Sequence, residues 1–119
     1  MINRRHRFHG YGSLRQVYRH GQTVRGPLFS VKSLANPKRS SYRLAVVVSR
    51  KVNKSAVARN RIRRRLYEAV RLLEEDIIRP HDVVITVFHG SLIDEPAEHL
   101  QGQVKKQLRM AGVLAKRVR

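Results

Sequence analysis

Residues 58–66 read Ala-Arg-Asn-Arg-Ile-Arg-Arg-Arg-Leu, with five arginines in nine positions. The planar guanidinium of arginine binds oxygen atoms in pairs and stays charged at any physiological pH, which suits phosphate groups. At about 100° per residue, Ile62 and Leu66 lie on one side of a helix, and Arg61 and Arg64 lie on the other. This pattern predicts a helix that is anchored by the core on one side and offers cations to an anionic partner on the other.

The charge distribution also favours an anionic partner. The net charge is +18, and no Asp or Glu precedes Glu68. The eight basic residues after Tyr67 are balanced by eight acidic ones, so the whole net charge lies in residues 1–67. A solvated helix face usually alternates basic with acidic residues at i, i+4 spacing, which is not the case here. A field of one sign opposes folding unless counter-charge is supplied, so we expect a polyanion to bind this half of the chain.

Composition excludes several classes of protein. A chain of 119 residues with 41% hydrophobic residues is expected to form one domain with a modest core. The absence of cysteine excludes disulfide frameworks, thiol nucleophiles and Cys-ligated zinc fingers. No apolar run has the length of a membrane span or follows the N-terminus as in a signal peptide, so we expect an intracellular soluble protein that binds no membrane.

The six histidines do not have the spacing of a metal site or of a catalytic acid–base pair. We therefore expect no metal site, no catalytic residue and no nuclease activity in the protein alone. The histidines are His6, His9, His20, His81, His89 and His99.

The elements that position the basic helix follow from periodicity. Residues 1–12 lack periodicity and are expected to form a flexible basic arm ahead of a single domain over 13–119. A short helix is predicted from a Ser13 cap to Gly21, with Leu14, Val17 and Tyr18 on one face. Strands are predicted over roughly 24–34, 42–49 and 82–88.

The basic helix is predicted to start at caps offered by Asn53 and Ser55 and to continue through Ile77 until Pro80 ends it. Another helix is predicted to start at Asp94-Glu95-Pro96 and to end near Gly112. Strands on both sides of the basic helix argue against a helix-turn-helix, and an unsustained heptad argues against a basic zipper. A mixed α/β domain with a basic helix and exposed aromatics suits structured RNA rather than DNA.

The run from Ser49 to Leu66, with Arg59-Asn60-Arg61 at its centre, resembles the signature of the bacterial ribonuclease P protein component. Three further segments resemble the same family in the expected order, so the resemblance covers most of the chain. They are the first helix over 14–21, the strand over 42–49 and the strand over 82–85.

The resemblance implies an α/β (α+β) two-layer sandwich in the order α-β-β-(β)-α-β-α, with a mixed four-stranded sheet. That is one strand more than the pattern predicts, and a paired edge strand that follows residues 24–34 would supply it. The family's catalyst is its RNA subunit, which uses RNA-bound magnesium to remove the 5′ leader of precursor tRNA. The implied partners are therefore ribonuclease P RNA and precursor tRNA, in the cytoplasm, with the protein assisting rather than catalysing.

The resemblance also assigns candidate site residues. One set is expected to face the catalytic RNA: Arg50, Lys51, Lys54, Arg59, Asn60, Arg61, Arg63, Arg64 and Arg65. A second set is expected to line a cleft for the leader, where bases can stack on aromatic rings without regard to sequence: Leu14, Tyr18, Phe29 and Lys32.

The sequence departs from the family pattern at several of these positions. Leu14 and Lys32 stand where the family often has an aromatic residue, and Tyr67 stands where it often has arginine. Phe88-His89 replaces a basic pair that often follows the last strand. We therefore expect the cleft to depend more on charge than on stacking.

The alternative is another small RNA-binding protein without a processing role, such as a ribosomal or tRNA-binding factor. Composition alone permits it. The Arg-Asn-Arg helix between two strands favours the ribonuclease P subunit.

Overall fold

A computed structural model describes residues 4–8 and 12–115 of the chain. Three helices and four strands follow one another in the predicted order α-β-β-β-α-β-α. Short 3₁₀ turns span Arg4–His6, Glu74–Asp76 and Gly90–Asp94. The elements are α1 (Gly12–His20), β1 (Gln22–Arg25), β2 (Phe29–Ala35), β3 (Arg43–Val47), α2 (Ala56–Arg71), β4 (His81–Val87) and α3 (Ala97–Met110).

The four strands form one mixed sheet in the order β1-β2-β4-β3. β2 pairs antiparallel with β1 and β4, whereas β3 pairs parallel with β4. The single strand predicted over 24–34 is wrong, because the chain turns back at Gly26, whose N–H donates to the carbonyl of Phe29 at 3.0 Å. The resulting hairpin supplies the fourth strand that the family resemblance implied.

One face of the sheet holds the core, and α2 and α3 pack against it. Phe29 and Val31 of β2 lie beside Val87 and Ile85 of β4 in the register, and all four are buried. Helix α2 adds buried residues at the predicted helical spacing. Those residues are Ile62, Leu66, Ala69 and Val70.

The opposite face of the sheet is only partly covered. Val17 of α1 and Val84 of β4 are both fully buried, but neither belongs to the main core cluster, so α1 packs on this second face. Further along the same face, Arg25 and Val47 are exposed. A strip of sheet is thus left open near the end of β3, from which the chain continues to α2.

Helix α2 is shorter than the periodicity predicted. It ends at Arg71, and Ile77 instead forms an isolated antiparallel bridge with Leu114. Three acidic residues follow after two intervening positions, at 74–76, and negative charge is unfavourable at the negative end of a helix dipole. At its other end α2 begins as predicted, with the Ser55 hydroxyl accepting from the N–H of Ala58 at 3.2 Å.

The ends of the two shorter helices differ slightly from prediction. Helix α1 starts at Gly12, so Ser13 lies inside its first turn rather than at the cap. Helix α3 ends at Met110, close to the predicted end near Gly112. Gly112 follows with φ at +78°, and the N–H of Val113 donates to the carbonyl of Leu108 at 3.0 Å.

The prediction of a flexible arm over residues 1–12 is wrong for residues 5–8. Arg7 forms a parallel bridge with Leu44, which extends the sheet beyond β3. His6 is buried and stacks on Tyr42, with ring centroids 4.0 Å apart. Residues 1–3 and 9–11 of the predicted arm, and 116–119 of the predicted domain, lie outside the described residues.

Candidate RNA-binding surface

The N-terminal half of α2 presents an exposed cationic face. Ile62 and Leu66 are fully buried, which fixes the rotation of the helix and turns Asn60, Arg61 and Arg64 to solvent. Within residues 4–8 and 12–115, neither the Arg61 nor the Arg64 side chain has a hydrogen-bond or ion-pair partner. Both guanidinium groups are therefore available to bind an anion.

The loop before α2 extends this face. Arg50, Lys51 and Lys54 are all exposed, and they precede the N-terminus of the helix. The helix dipole and the unpaired N–H groups of the first turn favour negative charge at the same place. The loop and helix together suit a chain of phosphates rather than one isolated anion.

Two arginines of the predicted RNA-binding set form hydrogen bonds that orient parts of this surface. Arg59 donates from Nη1 to the carbonyls of Asn53 and Lys54, both at 3.0 Å. Arg63 donates to Oδ1 of Asn60 at 2.7 Å and more weakly to the carbonyl of Val48 at 3.4 Å. Both side chains stay partly exposed, so they orient the loop and Asn60 while contributing positive charge.

Arg65, predicted to face the catalytic RNA, forms hydrogen bonds within the protein. Its Nη1 donates to the carbonyls of Leu92 and Ile93 at 2.7 and 2.9 Å, and its Nη2 donates to the carbonyl of Glu95. These bonds tie α2 to the 3₁₀ turn before α3. A helical projection places Arg65 on the flank of the basic face, but it cannot show that backbone carbonyls lie there.

Arg7 is a cation at this surface that sequence reasoning missed. It lines a groove together with Asn60, Arg63, Arg64 and Tyr67, and its guanidinium lies 5.9 Å from the centre of the Tyr67 ring. Tyr67 stands where the family often has arginine, and Arg7 brings a guanidinium to that side of α2. No local pattern signals this contact, because it depends on the bridge between Arg7 and Leu44.

The leader cleft residues divide between the two faces of the sheet. Tyr18 is 48% exposed, and Nζ of Lys32 lies 5.8 Å from the centre of its ring, on the α1 face. Leu14 is half-buried on the same helix. Phe29 was wrongly predicted for this cleft, because it is fully buried in the core on the opposite face of the sheet.

A second aromatic–cation pair lies further along the open face. The guanidinium of Arg25 lies 4.5 Å from the centre of the Phe88 ring. By sequence, Phe88 is notable only as a departure from the family pattern. No sequence pattern indicates a role for Arg25, which the β1–β2 register places opposite Ser30. Arg25 and Phe88 provide a cation and a π surface where stacking had been expected to be weak.

Two acidic residues near α2 and the sheet are paired with arginines. Glu68 is bonded to Arg71, and Asp82 is buried against Arg43. The described residues contain no group of three or more His, Asp or Glu that could hold a metal ion. None of the described helices is long and apolar enough to cross a membrane.

Comparison with known proteins identifies the family of the chain. The family model described as Ribonuclease P matches residues 2–112. The chain belongs to the ribonuclease P protein family. The ribonuclease P protein is the protein subunit of an endoribonuclease, a ribonucleoprotein of tRNA processing in which the RNA subunit carries out catalysis. The other small RNA-binding proteins considered above are not favoured.

Relatives and solved structures agree with this assignment. The chain is 36% identical to the ribonuclease P protein component of Chloroflexus aurantiacus, over 95% of this chain and 82% of the relative. It is also 36% identical to that of a Roseiflexus species, over 83% and 80% of the two chains. The RNase P protein of Staphylococcus aureus has a similar fold, with a TM-score of 0.80 at 24% identity over 92% of this chain and 98% of that one.

Proposed function

We propose that this subunit binds the catalytic RNA through α2 and its preceding loop, and the 5′ leader of precursor tRNA through the open sheet face. The observation that carries the proposal is the adjacency of the two surfaces. Arg63 of α2 donates to the carbonyl of Val48, which directly follows the exposed Val47 at the end of β3. One subunit could therefore hold the substrate and the catalyst side by side.

The leader surface combines aromatic rings with cations and makes few demands on sequence. Tyr18 and Phe88 offer faces on which single-stranded bases can stack, and Lys32 and Arg25 lie close enough to contact the phosphates. Base–aromatic stacking contributes roughly 1–3 kcal/mol for any base. Such a surface suits leaders that differ from one precursor to the next.

We assign the magnesium to the RNA subunit. The residues described here do not provide a carboxylate cluster that fits the ion, which prefers oxygen ligands in an octahedral arrangement. The role of the protein is then electrostatic, because its cations offset phosphate repulsion where the leader meets the RNA. We place the assembly in the cytoplasm, together with its precursor tRNA substrate.

Reconstitution with the cognate RNA tests this proposal. Cleavage of precursor tRNA is measured with protein alone, with RNA alone at high magnesium, and with both at low magnesium. We expect cleavage at low magnesium only when both are present, and no cleavage by protein alone. Cleavage by the protein alone would contradict the proposal.

A second arm of the same experiment isolates the leader. The holoenzyme is given precursors that differ only in leader length, from one nucleotide to a full leader. We expect the protein to tighten binding of the long-leader precursor and to have little effect on the short one. If the protein tightened binding of both precursors equally, the leader would not bind to the open sheet face, and the proposal that α2 binds the RNA would still stand.

A further inference from the structure

A groove between α2 and α3 is not used by the surfaces described so far. It has a volume of about 490 Å³ and an apolar base formed by Ala69 and Leu100. Leu72 and Ala97 form its sides, and Leu72 is 61% exposed although it is a large apolar residue. Exposed leucine beside a concave apolar surface is typical of a ligand or partner site.

The rim of the groove is cationic. Arg61 and Arg64 lie on it, and neither side chain has a partner among the described residues. Glu68 also lies on the rim, but its carboxylate accepts two hydrogen bonds from Arg71, which lower the pKa of Glu68 and keep it neutralised as an ion pair. The free charge on the rim is therefore positive, which selects an anionic occupant with an apolar part.

Gln101 adds an oriented polar group to the wall. Its Nε2 donates to the carbonyl of Ala69 at 3.0 Å, which fixes the amide and leaves Oε1 to accept a hydrogen bond. The exocyclic amino groups of adenine, cytosine and guanine are donors of the kind that Oε1 can accept. An apolar base, an oriented acceptor and a cationic rim match the base, the amino group and the phosphates of one nucleotide.

We infer that this groove receives one unpaired nucleobase of the catalytic RNA, with the flanking phosphates on Arg61 and Arg64. The inference rests on the proposed function and extends it, because Arg64 also lines the groove that holds Arg7 and Tyr67. The RNA that covers the basic face of α2 therefore passes the mouth of the apolar groove. Splayed bases are the usual targets when proteins recognise folded RNA.

Salt dependence separates the two parts of the site. The dissociation constant for the full-length catalytic RNA is measured over a series of salt concentrations for Leu72→Ala and Arg64→Ala. Leu72→Ala removes apolar contact and should weaken binding about tenfold with an unchanged salt slope. Arg64→Ala removes a phosphate contact and should lower the slope by about one.

A matched control and a second variant accompany these measurements. Met110→Ala shortens an equally exposed apolar residue of α3, 65% exposed and outside the groove, and should leave binding unchanged. Ala97→Leu narrows the groove without removing a contact and should also weaken binding with an unchanged slope. Thermal melts check that the variants fold. We expect unchanged melting temperatures, because Leu72 and Ala97 are both exposed.

The outcomes distinguish this inference from the function on which it rests. If Leu72→Ala and Ala97→Leu bind like the wild type while Arg64→Ala lowers the slope, the nucleobase site is refuted and the RNA surface stands. If Arg64→Ala also leaves affinity and slope unchanged, both are refuted. A lowered slope in Leu72→Ala would overturn the assignment of a base to this groove, because it would mean that a phosphate contact was lost.

Discussion

Arg43 of β3 and Asp82 of β4 form a bidentate ion pair inside the protein, with Nε–Oδ1 and Nη2–Oδ2 distances that are both 2.8 Å. Both side chains are at least nine-tenths buried. Asn36 donates a further bond to Oδ2 of Asp82 at 2.9 Å, and the ring of Phe8 lies 4.8 Å from the Arg43 guanidinium. The pair thus joins the parallel strands β3 and β4 to the turn after β2 and to the N-terminal segment.

Asp82→Asn should destabilise the protein by about 3 kcal/mol, because it leaves the Arg43 charge buried without a counter-charge. The change keeps the size of the side chain, so the loss reports charge rather than packing. The change in the free energy of unfolding is measured by urea denaturation. Glu68→Gln is the matched control, since it removes a bidentate partner from the solvent-exposed Arg71 and should leave the midpoint nearly unchanged. Equal urea midpoints for the two variants would show that the buried Arg43–Asp82 pair contributes no more to stability than the exposed Glu68–Arg71 pair.

The neighbouring residues Arg64 and Arg65 should give opposite results. Arg64→Ala should weaken RNA binding, lower its salt slope by about one and leave the melting temperature unchanged. Arg65→Ala should lower stability by about 2 kcal/mol, because three backbone carbonyls lose a charged donor, and should keep the salt slope. Binding titrations at several salt concentrations, together with thermal melts, provide both readouts. A stable Arg65→Ala variant with a reduced slope would mean that Arg65 contacts phosphate after all.

Stability at alkaline pH should depend on Tyr42. Burial raises the pKa of its hydroxyl above the ordinary value of 10, and the hydrogen bond to Glu74, 2.8 Å long, raises it further. Above pH 10 the unfolded chain therefore loses this proton while the folded protein keeps it. The stabilisation is complete below pH 10 and should fall above it by up to about 1.4 kcal/mol per pH unit.

Tyr42→Phe tests this dependence. The variant should lose stability less steeply than the wild type above pH 10 and run parallel to it between pH 7 and 9. The measurement is the free energy of unfolding in urea at each pH. Curves that stay parallel through pH 11 would show that Tyr42 ionises alike in both states.

Local signals were enough to predict most elements of this fold. The cap at Ser55 and the spacing of Ile62, Leu66 and Val70 depend only on neighbours along one helix, so the start and the buried face of α2 were predictable. The apolar run at 44–48, with its three β-branched valines, likewise marked β3.

Long-range contacts decided what the sequence did not predict. The break between β1 and β2 leaves room for the side chain of Gln107, which lies 78 residues beyond Phe29 in the chain. Nε2 of Gln107 donates to the Phe29 carbonyl at 3.0 Å. A Cβ on Gly26 would lie 2.2 Å from Oε1 of the same side chain. The alternation of residues 29–32 predicted a strand with two different faces, but only pairing with β4 determines which face is the core.

Tyr18 and Phe29 should separate leader binding from stability. Tyr18→Ala should weaken holoenzyme binding of a long-leader precursor by roughly 1–3 kcal/mol, leave a one-nucleotide leader unaffected and preserve the melting temperature, because the ring is exposed. Phe29→Ala should instead reduce stability by about 3–5 kcal/mol, because it opens a cavity in the core. Titrating both precursors at a temperature where each variant is folded gives the comparison. If Tyr18→Ala weakened binding of the two precursors equally, Tyr18 would contact the body of the tRNA or the catalytic RNA, and the open sheet face would lose its assignment to the leader.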